Sequence, residues 1–197
     1  MAEHGRIRRG DFATFAGVTA DVIKMRRRSG MLPFGSTETG QRTYGPVDIL
    51  AWQLQDALTA QGMSARTAAL SVLASRAADT FLNALALGHD VSDLHLVAWR
   101  EGEDGCDGRE VNHRAATMTG DELTELRLDR PQPDRTWHRL DKDGTVTAVR
   151  HARPLGLVSL IAVPIARQWR IAIERARAAG LDLLPGSVAA LERARDE

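Results

Sequence analysis

The chain has 197 residues, 43% of them hydrophobic, and its 26 basic and 26 acidic residues cancel to a formal net charge of zero. That length suits one large domain or two small ones, and the apolar fraction is ordinary for a soluble globular chain. A single cysteine, Cys106, excludes an intrachain disulfide framework and a cysteine-based zinc site, and with the lack of a signal-peptide-like apolar start it points to a reducing, cytoplasmic setting.

The first expected element is a short helix opening near Asp11, whose carboxylate suits an N-cap. Phe12, Phe15 and Ala16 fall at i, i+3 and i+4 and share one face. Gly17 permits a sharp, left-handed turn, Val18 plugs back toward the apolar face, and Thr19 is a natural N-cap for a second helix. In that helix Val22 and Ile23 are the expected buried positions, with Met25 or Arg26 at the edge, while Lys24, Arg26, Arg27 and Arg28 crowd cations together. Gly30 ends the helix and Pro33 prevents its renewal. Residues 34 to 41 suit a polar hairpin loop, because Gly35 and Gly40 allow the backbone angles that tight hairpins need.

The charge of this segment is unlike that of the chain. From Arg6 to Arg42 there are eight basic residues (Arg6, Arg8, Arg9, Lys24, Arg26, Arg27, Arg28, Arg42) against three acidic ones (Asp11, Asp21, Glu38), a net of +5 in a chain that is neutral as a whole. A basic helix is most often just a solvated face. Concentrated at one end of a neutral chain, beside a sharp helix-to-helix turn, it is instead the footprint of a head that grips phosphates and enters a DNA groove. Arginine content alone says little, since Lys24 and Lys142 are the sole lysines and arginine is favoured throughout.

The following segment reads as a helix over 46–61, with Pro46 in its first turn and Ile49, Leu50, Leu54 and Leu58 near a 3.6 period. Gly62 breaks it, and Ser64 caps a longer helix to about Ala86 with an apolar stripe of Leu70, Leu73, Ala77, Phe81, Leu85 and Leu87. Beyond Gly88 the pattern becomes mixed: strands over 94–100 and 109–113, a short helix within 118–128, a hairpin of 137–140 and 145–151 about Asp141-Lys142-Asp143-Gly144, and an apolar strand over 157–163. Pro164 then opens a helix to about Ala179 with the face Ile165, Trp169, Ala172, Ile173 and Ala176, and a short helix ends the chain. The apolar run 155–165 is too short to span a bilayer, so no membrane association is expected.

The expected fold is mainly α with an α+β part: a winged helix-turn-helix over 1–62, a linker or dimerisation helix over 63–90, and a small antiparallel sheet packed by a long helix over 91–197. Chemistry-bearing motifs are few. The loop Glu101 to Gly108 holds oxygen ligands but lacks the spacing of a calcium-binding EF-hand loop, and reads as an acidic turn. His95, His113, His138 and His151 fall on or near strands and would hold a metal only by sharing one sheet face, a geometry no helical pairing supports. Neither a nucleophile–base–acid set nor a phosphate-binding Gly-rich loop is evident, so no catalytic residue and no cofactor is expected.

Several features in order and spacing carry a family resemblance over about residues 9 to 75: Ile23-Lys24-Met25-Arg26-Arg27-Arg28-Ser29-Gly30-Met31-Leu32-Pro33, then Arg42-Thr43-Tyr44, then Asp48 opening an apolar helix, then Gln61-Gly62-Met63-Ser64 before the next. This resembles the MerR-like winged helix-turn-helix family. The family often has two aromatic residues where this chain has Met25 and Arg26, and an acidic one where it has Arg27, so this helix is the more basic. The resemblance implies double-stranded DNA as partner and a DNA-facing set of Thr19, Lys24, Arg26, Arg27, Arg28, Arg42 and Tyr44. Tyr44 has two readings of equal standing, a phosphate contact from the base of the wing or packing of the wing onto the second helix.

The resulting expectation is a sequence-specific transcriptional regulator, not an enzyme, acting as a homodimer, with the C-terminal part dimerising, meeting a protein partner or sensing a small-molecule effector. The lack of cysteine pairs argues against soft-metal or thiol sensing. The alternatives are a phage or mobile-element DNA-binding protein with an architectural, recombination or packaging role, and an enzyme carried by a DNA-targeting head.

Overall fold

A computed structural model describes residues 7–34, 43–102, 112–127, 137–140, 146–149 and 156–181. The expected wing over 34–41 (apart from Phe34), Arg42, the acidic loop with Cys106, the 141–144 turn, His151 and the last short helix lie outside the described residues.

Helix α1 (Arg9–Ala16) starts earlier than expected. Arg8 holds the N-cap position with no side-chain cap, and Asp11 sits in the first turn, where its charge still favours the helix N-terminus. Gly17, at φ 64°, ends α1, and the Val18 N–H reaches the Ala13 carbonyl at 3.1 Å to close the turn. Helix α2 (Ala20–Arg28) begins as expected, with Thr19 Oγ1 accepting from the Val22 N–H at 3.3 Å. Helix α3 (Pro46–Ala60) has proline in its first turn, and the Asp48 carboxylate accepts from the Gly45 N–H at 3.0 Å.

The expected single helix from Ser64 to Ala86 is two. Ser64 does cap α4 (Ala65–Ser75), its Oγ accepting from the Thr67 N–H at 3.2 Å. Arg76 then turns left-handed, at φ 51°, and α5 (Ala77–Ala86) sets off afresh. The break resets the helical phase, so the expected stripe forms only in part: Ala77 and Phe81 are buried and Leu70 and Leu85 half-buried, whereas Leu73 is 38% and Leu87 74% exposed, and Ala68, Ala69, Val72, Ala74 and Ala78 are buried as well.

Five antiparallel strands make one sheet: β1 (His95–Gly102), β2 (Asn112–Met118), β3 (Trp137–Leu140), β4 (Val146–Val149) and β5 (Gly156–Pro164), in the order β4-β3-β2-β1-β5. The second strand runs farther than the expected 109–113, to Met118, pairing with β1 from His95 to Glu101. Helix α6 (Gly120–Arg127) follows, opened by a reciprocal cap in which Glu122 accepts from the Thr119 N–H at 2.8 Å and Thr119 Oγ1 from the Glu122 N–H at 3.3 Å. Helix α7 (Ile165–Ala178) buries Ile165, Trp169, Ala172 and Ala176, as its period implies.

Strand alternation separates two of the four histidines. His95 pairs with Met118 and His113 with Arg100, an odd number of positions apart along β1, so the two side chains project from opposite sheet faces. The four histidines therefore do not all converge on one face, since His95 is set apart from His113 by parity.

The sheet is apolar on both sides. Leu96, Ala98, Ala115 and Val163 face the helices and join one continuous core with Phe12, Ile23, Trp52, Phe81 and Trp169. Val97, Trp99 and Met118 form a smaller cluster on the other side under Leu123 of α6. The main core runs from Ile7 to Ala176, so the three expected segments share it. Among the described residues no helix is long and apolar enough to cross a membrane.

Candidate nucleic-acid interface

The geometry of the tip follows from its aromatic centre. Phe12 is fully buried; its ring stacks on Tyr44 at 4.1 Å with 14° between planes, and meets Trp52 edge-on at 5.4 Å and Phe34 at 5.9 Å. The backbones of Ile7 and Tyr44 exchange two hydrogen bonds of 2.8 Å, which ties the chain before α1 to the strand end leading into α3. Tyr44 is 3% exposed, and its ring packs on Phe12 of α1 and on Phe34.

Helix α2 rests on this centre through Ile23, which is 2% exposed, and half-buried Val22. Its far end is held by Gln55 of α3, whose Nε2 donates to the Met31 carbonyl at 2.9 Å and to the Ala65 carbonyl at 2.8 Å. One buried amide thus joins the chain leaving α2 to the start of α4. Gly30, at φ 65°, makes the turn possible, and the Met31 N–H closes it on the Arg26 carbonyl at 2.8 Å.

The cations of α2 do not share one face. Lys24, Arg27 and Arg28 are exposed, as are Arg8 and Arg9 beside α1. Arg26 is half-buried, its guanidinium lying 4.5 Å from the centre of the Trp52 ring. Cation–π attraction and the aliphatic stem hold it against α3, so Arg26, at the edge of the buried face, helps dock the helix. Thr19 is exposed at the entry to α2 with its hydroxyl oxygen engaged as a cap. The outward face consists of Asp21, Lys24, Met25, Arg28 and Ser29, which line a shallow open depression.

Behind this face stands a polar clasp that periodicity did not reveal. Arg175 of α7 donates to Gln53 Oε1 at 2.8 Å, pairs with Asp56 at 3.4 Å, reaches the Ala16 carbonyl at the end of α1 at 3.5 Å, and lies 5.5 Å from the Phe15 ring centre. Gln53 Nε2 donates in turn to Gln168 Oε1 at 3.0 Å. Burial pushes the Asp56 carboxyl above its ordinary value, and the guanidiniums of Arg175 and Arg26 draw it part of the way back. The available signal was Gln53 and Gln55 inside an otherwise apolar helix segment, since a buried amide needs partners.

Two helices joined by a sharp turn, the second basic on its outward side and braced by a third, make a helix-turn-helix of the DNA-binding class. Residues 7–71 match the model of the MerR HTH family regulatory protein. The N-terminal part of the chain is therefore a MerR-like helix-turn-helix, the DNA-binding unit of a transcriptional regulator. No curated protein matches the chain.

Proposed function

We propose that the protein is a sequence-specific transcriptional regulator that binds double-stranded DNA as a homodimer, with α2 as the helix that enters the major groove. The observation that carries this reading is the exposure of Lys24, Arg27 and Arg28, two of them on the outward face, on a helix held in position by Ile23, Arg26 and Gln55. Lys24 and Arg28 are the residues assigned to base edges or flanking phosphates, Arg27, Arg8 and Arg9 to phosphates, and Arg42 to the phosphates under the wing. Thr19 fixes the start of α2, with a phosphate contact as its second role. Exposed Leu73 and Leu87, at the paired helices α4 and α5, support a second copy docking there. The five-stranded sheet is the remaining surface for a protein partner or effector.

The test is genome-wide binding in the host, followed by titration of the purified protein on the recovered DNA at two salt concentrations. A short shared motif near promoters, with affinity falling steeply as salt rises, is the expected result. Enrichment without a motif would replace the regulator with an architectural or mobile-element protein.

A further inference from the structure

The outward face of α2 is polar except at its centre. Met25 is 57% exposed, a large apolar side chain held in water among Asp21, Lys24, Arg28 and Ser29. At about 3.6 residues per turn, two positions of separation put Met25 almost opposite Ile23, the residue that anchors α2 in the core. Met25 therefore points away from the core, toward the floor of any groove that the helix enters. Lys24 and Arg28 lie to one side of it round the helix and Ser29 to the other, so a helix bound through those cations would bring this side chain against base edges.

A major groove floor offers one apolar group, the C5 methyl of thymine. An unbranched thioether adapts its shape to such a contact at little conformational cost. We infer that Met25 is a specificity-determining residue that reads thymine through its methyl group, beside the polar contacts of Lys24 and Arg28. Left exposed in the free protein, the side chain is covered only when the cognate base pair presents that methyl. The inference rests on the DNA-binding reading above and adds to it the base that the centre of α2 selects.

The experiment uses the full chain. Duplexes enriched from a random pool supply the binding site, and each thymine in that site is replaced in turn by deoxyuridine, which lacks only the methyl. Affinities are measured at fixed salt for the unchanged protein and for Met25→Ala. At one or two positions, deoxyuridine is expected to weaken the unchanged protein about fourfold, the equivalent of one methyl left in water, and to leave Met25→Ala unaffected. Equal losses in both proteins, or no loss at any thymine while binding persists, would overturn the assignment and leave the DNA-binding reading standing. Failure to enrich or bind any duplex would overturn both. Met25→Gln supplies a second readout, with preference moving from thymine toward adenine, whose edge an amide can pair; an unchanged preference in that variant also counts against the assignment.

Discussion

Arg175 and Gln53 meet at 2.8 Å although they stand 122 positions apart, and this hydrogen bond fastens the last described helix to the back of the helix-turn-helix. The same guanidinium touches Asp56, the end of α1 and the Phe15 ring. The orientation of the DNA-binding tip is thus set in part by a residue from the far end of the fold.

Arg175→Ala is expected to lower unfolding free energy by about 1–3 kcal/mol, because it leaves Gln53 and a half-buried Asp56 carboxylate short of a donor. Arg175→Lys should recover little of this, since a single ammonium does not reproduce a planar fork reaching several acceptors. Urea unfolding of both variants checks the point; full recovery by lysine would show that charge alone matters.

Gln55→Leu strands the Met31 carbonyl and takes from the Ala65 carbonyl the donor it has beyond its own helical bond. A loss of about 1–3 kcal/mol is expected, seen as a lower urea midpoint at unchanged slope.

Arg28→Ala and Arg26→Ala should part company. The first removes an exposed cation and should reduce the salt dependence of DNA binding by about one unit of slope if it contacts a phosphate, or cost about 1–3 kcal/mol if it contacts a base, with stability unchanged. The second removes the guanidinium from Trp52 and should cost about 0.5–2 kcal/mol of stability, with any loss of binding following from a loosened helix. Parallel melting and titration of the two variants separate these effects.

Arg76 is the sole non-glycine residue with positive φ among the described residues. Arg76→Gly relieves that strain and should stabilise the fold by up to about 1 kcal/mol, the left-handed cost less the extra chain entropy of glycine. A lowered melting temperature would show that the arginine side chain contributes more than its backbone costs.

Burial, aided by the neighbouring Arg100 charge, holds the His113 imidazole below its ordinary pKa of 6.5. The unfolded chain then binds the proton more readily, so the contribution of His113 to stability is present above about pH 6.5 and is lost as pH falls through that value toward the folded pKa. Unfolding midpoints measured from pH 8 to pH 5 should decline more steeply for the unchanged protein than for His113→Asn.

The tip was legible in the sequence because its signals are local. Gly17, Thr19, Gly30, Pro46 and Ser64 each act on the backbone within a few residues, and the helices they bound fall close to where spacing places them. The β3–β4 hairpin and the buried face of α7 were legible for the same reason, whereas β2 lies C-terminal of its expected place. The split at Arg76 was not, since nothing in the composition of residues 64–86 forbids one helix; packing against β2 and β3 decides it, with Thr117 Oγ1 donating to the Ser75 carbonyl at 3.2 Å just before the turn.

The sequence by itself determined a capped, basic helix behind a glycine turn, the charge concentrated there, and the order of helices and strands, all of which depend on near neighbours. Only the tertiary structure decided which cations face outward, because that depends on what lies beneath them: Trp52 draws Arg26 inward and leaves Lys24, Met25 and Arg28 at the surface. It also decided that α7 grips α1 and α3, since the partners of Arg175 come together through chain reversal, which no local pattern encodes.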